Sequence, residues 1–249
     1  MGGGASKNAV SPDHPNGRAA PESVFSGAAD YTDEGSHLAL GGRVILVLGG
    51  PGSGVAEQCD RLADKYGCLH LGIESLMRTA VANESDAGKK ISELIKGGMR
   101  AIDTLTSSRL GSHRFMRVRT GKIIPSTLYL SLLKSAITPD SDQVCLVEGF
   151  PKSLDSLQLL EQHIGLCQRA LLLDASDHQL QERLVSMPTK GSGKTIPVEV
   201  AQRRIRTFRN QTLPAVAALD GRGVLTKVDA SGTAEATFKG LSDAYQKIM

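Results

Sequence analysis

The sequence predicts a parallel α/β domain with helices on both faces of its sheet. Three observations carry that prediction. Short β-branched apolar runs recur from residue 43 onward, a glycine-rich turn follows the first of them, and helical apolar periods fill the intervals. The first run, Arg43-Val-Ile-Leu-Val-Leu48, is followed by glycine and reads as a strand buried on both faces. Gly49-Gly-Pro-Gly-Ser-Gly54 is a tight loop. Cys59, Leu62, Ala63 and Tyr66 then recur at helical spacing, and Gly67 is placed to cap that helix. Further buried strands are predicted at 143–148, 170–174 and 223–228, and helices over 177–185, 198–219 and 233–249. Strands alternating with helices imply right-handed crossovers and a sheet covered on both sides.

Length and charge narrow the function classes. The chain has 249 residues, enough for one large domain or two small ones, and 40% of them are hydrophobic. Lys and Arg number 29 against 26 Asp and Glu, a net charge of only +3, which argues against a general nucleic-acid binder. No stretch approaches the ~18 uninterrupted apolar residues of a membrane-spanning helix. Cys59, Cys68, Cys145 and Cys167 form no CxxC pair and sit in apolar-periodic segments. They read as core residues in a reducing compartment, and the expected location is cytoplasmic.

Residues 1–40 hold six Gly, three Pro and five Ser with no sustained hydrophobic period, so a disordered tail is expected there. The domain proper is expected over 41–249. The opening Met1-Gly2-Gly3-Gly4-Ala5-Ser6 fits N-myristoylation at Gly2, and a Gly-rich start also meets that pattern by chance. One acyl chain alone gives marginal, reversible membrane attachment.

A glycine loop between strand and helix offers backbone N–H groups and the positive end of a helix dipole to phosphate. Here Gly49, Gly50, Gly52, Ser53 and Gly54 form that loop. Four more segments follow in order: His70-Leu-Gly-Ile-Glu-Ser-Leu-Met-Arg78, Gly121-Lys-Ile-Ile-Pro125, Val147-Glu-Gly-Phe-Pro-Lys152 and Arg203-Arg204. Together they resemble the adenylate kinase and UMP-CMP kinase family from about residue 43 to the C-terminus. The resemblance implies a P-loop kinase-type fold with a five-stranded parallel sheet, a small nucleoside-monophosphate-binding region and a short lid over 186–198. It also implies transfer of the γ-phosphoryl group of ATP to AMP, CMP or UMP with Mg²⁺, chemistry that rests on positioning and charge neutralisation.

Residue by residue, the resemblance is uneven. Where the family has its phosphate lysine and metal-side threonine, this chain has Val55 and Glu57. A unit charge at ~4 Å is worth up to about 4 kcal/mol at a partly screened dielectric, so both changes oppose a polyphosphate. The resemblance makes Arg78 the monophosphate-binding arginine and Arg204 a catalytic arginine after the lid. Lys152 stands for a second monophosphate arginine, keeping the charge but losing its bidentate fork. Glu148 replaces an aspartate that assists hydrated Mg²⁺, and Ser156 falls where a base-reading Gln or Asn is expected. In the lid, Met187 replaces an ATP-side arginine, and Lys194 is the remaining catalytic cation.

Residues 97–120 are additional to the family pattern and carry five arginines against one acid, Asp103. They are either a solvated face or a docking segment for an acidic protein or a membrane surface. The losses fall on the ATP side, which implies a non-catalytic, adenylate kinase-like binding or scaffold protein with no cofactor. The alternative is an active monophosphate kinase using Mg-ATP, with Lys194 or Lys152 reaching the phosphates. Relatives of this family serve in cilia and flagella, and acylation at Gly2 would suit such a place.

Overall fold

The computed structural model describes residues 43–96, 124–137, 143–187 and 195–249. In chain order the elements are β1 (Val44–Gly49), α1 (Val55–Tyr66), β2 (Leu69–Gly72), α2 (Ile73–Ala82), α3 (Asp86–Lys96), α4 (Ser126–Ala136), β3 (Cys145–Glu148) and α5 (Leu154–Ile164). They continue with β4 (Arg169–Asp174), α6 (Asp177–Ser186), α7 (Val198–Thr207), α8 (Leu213–Gly221), β5 (Leu225–Asp229) and α9 (Ala234–Ile248). The five strands form one parallel sheet in the order β2-β3-β1-β4-β5.

Alternation along β1 divides the interior in two. Val44, Leu46 and Leu48 face a core with Leu133 of α4, Leu157 and Leu160 of α5 and Leu219 of α8. Ile45 and Val47 face a second core with Cys59 and Leu62 of α1, Leu180 of α6 and Leu241 of α9. A strand apolar on both sides needs cover on both, which is why the run 44–48 carries no polar residue. Gly67 caps α1 as expected, at φ 69° with its N–H on the Ala63 carbonyl. All four cysteines are buried.

β3 begins at Cys145 rather than 143, β2 is an added strand, and the structure differs from the sequence reading in two further respects. β5 is Leu225–Asp229 rather than 223–228, because Gly223 takes φ 69° in the turn that closes α8. The single helix expected over 198–219 is α7, then a wide π-helical turn at Phe208–Thr212, then α8. Leu213 N–H donates to the Phe208 carbonyl five residues back. Pro214 explains the break: it has no N–H for the carbonyl four residues earlier. Arg209 donates to Asp177 at 2.7 Å and fixes the turn against α6.

Parallel strands place the loop after β1, the β2–α2 junction and the β3–α5 loop at one end of the sheet. That carboxyl end is where open α/β sheets bind ligands.

Candidate functional site

The loop after β1 is built by local necessity. Gly52 and Gly54 have φ 90° and 81°, which a side chain would strain. Ser53 N–H donates to the Gly50 carbonyl at 3.0 Å, closing the turn, and Ser53 is buried. α1 starts at Val55, with Gly54 as N-cap. Val55 is 9% exposed and belongs to the second core. It turns back on the loop: a Cβ on Gly49 would lie 2.5 Å from its Cγ2. Leu180 closes on Gly50 in the same way, its Cδ1 2.4 Å from where a Cβ would be. Glu57 is exposed in the first turn of α1, where a carboxylate favours the helix itself.

Beside the loop is a half-buried cluster of charged side chains. Glu74 and Arg78 stand four apart on α2 and share a face. Gly72 pairs in register with Glu148, and a Cβ on Gly72 would sit 3.1 Å from Glu148 Oε2 and 3.5 Å from His70 Nε2. Past Glu148 the chain lies against the start of α2, since a Cβ on Gly149 would be 3.5 Å from Ile73 Cβ. Phe150, 0% exposed, anchors this segment and packs its ring on Tyr129 at 5.9 Å. The backbone at Lys152 is then pinned from two sides. Lys152 and Ser153 N–H both donate to Ser156 Oγ, at 2.9 and 2.8 Å, and the Thr212 hydroxyl donates to the Lys152 carbonyl at 3.1 Å.

Electrostatics ties these groups together. Burial, then the neighbouring Glu148 carboxylate, pushes the Glu74 carboxyl up to about 7, while Lys152, Arg78 and Arg204 pull it down. Burial also raises the Glu148 carboxyl, opposed by His70, Lys152 and Arg78. Burial lowers the Lys152 ammonium, and Glu74 and Glu148 resist the change. The hydroxyl of buried Tyr129 is raised by burial and then by Glu74. His70 donates from Nδ1–H to Asp60 Oδ1, 2.7 Å away, while its buried Nε2 has no hydrogen-bond partner among the described residues.

No family model matches the chain. Curated relatives do. Human adenylate kinase isoenzyme 1 is 27% identical over 198 residues, covering 79% of this chain and 90% of that protein. Adenylate kinase 1 of Schistosoma mansoni is 28% identical over 207 residues, covering 82% and 93%. Human adenylate kinase isoenzyme 5 is 26% identical over 247 residues, covering 90% of this chain and 39% of that protein. By these likenesses the chain is adenylate kinase-like over about four fifths of its length.

In this adenylate kinase-like chain the fold brings Arg78, Lys152, Arg204 and Glu148 into one electrostatic neighbourhood. Gly49, Gly50, Gly52, Ser53 and Gly54 form the adjoining loop. Ser156 turns away from any ligand: it is 1% exposed, and its hydroxyl serves the backbone of Lys152 and Ser153 as part of a capping box. Met187 is exposed at the end of α6. Lys194, Gly2, residues 1–40 and 97–120 and lid residues 188–194 lie outside the described residues. Among the described residues no three His, Cys, Asp or Glu are grouped to hold a metal ion. The sequence reading missed Glu74 and Tyr129 as members of the pocket.

Proposed function

We propose that this adenylate kinase-like protein does not transfer phosphoryl groups and acts as a binding or scaffold protein built on a kinase fold. The observation that carries this reading is Val55. At the position of the family's loop lysine its side chain is apolar, buried and folded onto Gly49. Glu57, two residues on and exposed in the first turn of α1, puts a negative charge where the resemblance has the metal-side threonine. The loop residues therefore do not fit Mg-ATP, since an attraction is lost and a repulsion gained. Loss of one preorganised charge donor typically slows a reaction about 10²–10³-fold. The acceptor-side cations Arg78, Lys152 and Arg204 support a surviving anion pocket that holds a monophosphate at most.

In the same reading, partners of acidic character dock through residues 97–120, and acylation at Gly2 brings the protein to membrane, including that of cilia or flagella. Intact-mass measurement on protein from a eukaryotic host reads the acylation directly.

The deciding experiment is ATP-dependent phosphorylation of AMP, CMP and UMP, run beside a variant combining Val55→Lys, Ala56→Gly and Glu57→Thr. The natural protein is expected to be silent and the variant to turn over. Turnover by the natural protein would establish the active-kinase alternative, with another cation replacing the loop lysine.

A further inference from the structure

The pocket beside the loop holds three cations, Arg78, Lys152 and Arg204, and two acids, Glu74 and Glu148. Glu148 sits at its floor, at the end of β3, in register with Gly72. Glu74 is different. It rises from the first turn of α2, one helical turn before Arg78 and beside the segment that carries Lys152. All three cations act on it attractively. The Glu74 carboxylate thus shares its surroundings with the groups that the family likeness assigns to a phosphate.

We propose that Glu74 is the specificity-determining residue of this pocket: its carboxylate holds the place of an anion among Arg78, Lys152 and Arg204 and disfavours doubly charged phosphate monoesters. With Glu74 the pocket's side chains sum to +1, and without it to +2. A pocket of lower charge binds a dianion less well, and the entering phosphate must also share its donors with a resident carboxylate. Burial of Glu74 supports the assignment, because a carboxyl group that served only to neutralise arginines would do so at the solvent edge, where the charged form is not penalised. The proposal rests on the reading of the three cations as a surviving anion pocket, and it concerns binding alone.

The test is calorimetric titration of AMP, without ATP, at pH 8, where the ligand is a dianion. Natural protein, Glu74→Gln and Glu74→Asp are compared. The expected result is AMP binding at least ~10-fold tighter in Glu74→Gln, a single charge change of the size that a tenfold shift requires. Glu74→Asp keeps the charge and is expected to stay within about threefold of the natural protein. Adding Arg78→Ala to Glu74→Gln must abolish the gain. Equal affinities for natural protein and Glu74→Gln, or a gain that survives Arg78→Ala, overturns the proposal. Absence of AMP binding in every variant overturns the anion pocket itself, and this proposal with it. A melting curve of each variant confirms folding, and Glu74→Asp keeps the test open if Glu74→Gln does not fold. Phosphoryl transfer by the natural protein would refute the proposed function and leave this comparison intact.

Discussion

Glu74 carries a consequence for stability as well as for binding. Its carboxyl has an ordinary value of 4.5 and rises to about 7 in the folded chain, first through burial and then through Glu148. An acid whose pKa rises on folding binds more protons when folded than when unfolded between those two values. Stability therefore falls as pH rises across that window: the penalty is absent below about 4.5 and fully present above about 7. Glu74→Gln removes the charge at every pH. The variant is expected to gain stability over the natural protein as pH rises from 4.5 to 8, read by denaturant unfolding at each pH. A difference that stays flat across the range would show that Glu74 is not a penalised carboxylate. Sequence alone did not point to this residue. A glutamate in the first turn of an amphipathic helix reads as a solvated charge favourable to the helix dipole. Only the long-range return of the chain, seventy-eight positions later at Lys152, turns it into part of a pocket. Arg78, Lys152, Arg204 and Glu148, by contrast, were legible because they lie within ordered motifs of the family.

At the scale of elements, α2 must be held firmly for Glu74 and Arg78 to keep their places, and α3 does that through close backbone contact. A Cβ on Gly88 would fall 1.9 Å from the Ala80 carbonyl oxygen and 2.8 Å from the Val81 nitrogen. The turn between the two helices is tied by Ser85, whose N–H and hydroxyl both donate to the Ala80 carbonyl, at 3.1 and 3.2 Å. Gly88→Ala is expected to destabilise the protein by about 2 kcal/mol or more, since neither backbone can yield locally. Gly221→Ala, with nothing within 4 Å among the described residues, is the control and is expected to be nearly neutral. Equal stabilities for the two variants in thermal melts would contradict the close approach. The central strands were legible in sequence because burial on both faces leaves uninterrupted apolar runs. The edge strand β2 gives no such run: it is four residues long and includes His70, whose polar edge faces Asp60 and Glu148. The break between α7 and α8 was hidden by an unbroken helical period, with Pro214 the one local signal of it.

For the molecule as a whole, a loop that has lost its cation predicts how the folded state responds to ligand. Stabilisation follows RT ln(1 + [L]/Kd), so Mg-ATP at ~1 mM with a Kd above ~10 mM adds under about 0.1 kcal/mol. The melting temperature of the natural protein is therefore expected to be unmoved by Mg-ATP. That of the triple loop variant should rise by several degrees. A clear rise in the natural protein would mean that polyphosphate binds despite Val55 and Glu57. The parallel architecture was legible because strands and helices alternate in the chain, whereas the order β2-β3-β1-β4-β5 depends on which strands meet across the sheet.

The wide turn at Phe208–Thr212 has a genetic meaning. It behaves as one extra residue in an otherwise continuous helical rod, and each residue of an α-helix turns the chain by about 100°. Ala201 and Ile205 seat α7 on the body, while Ala215, Val216 and Leu219 seat α8. Loss of a single codon in this turn would convert it to a plain α-helical turn and leave both sets of anchors in phase. The same loss inside α7 or α8 has no bulge to absorb it and throws one set out by that angle, so that either α8 leaves its core or α7 rotates and carries Arg204 away from the pocket. The five residues of the turn thus tolerate a deletion that the helices on either side do not.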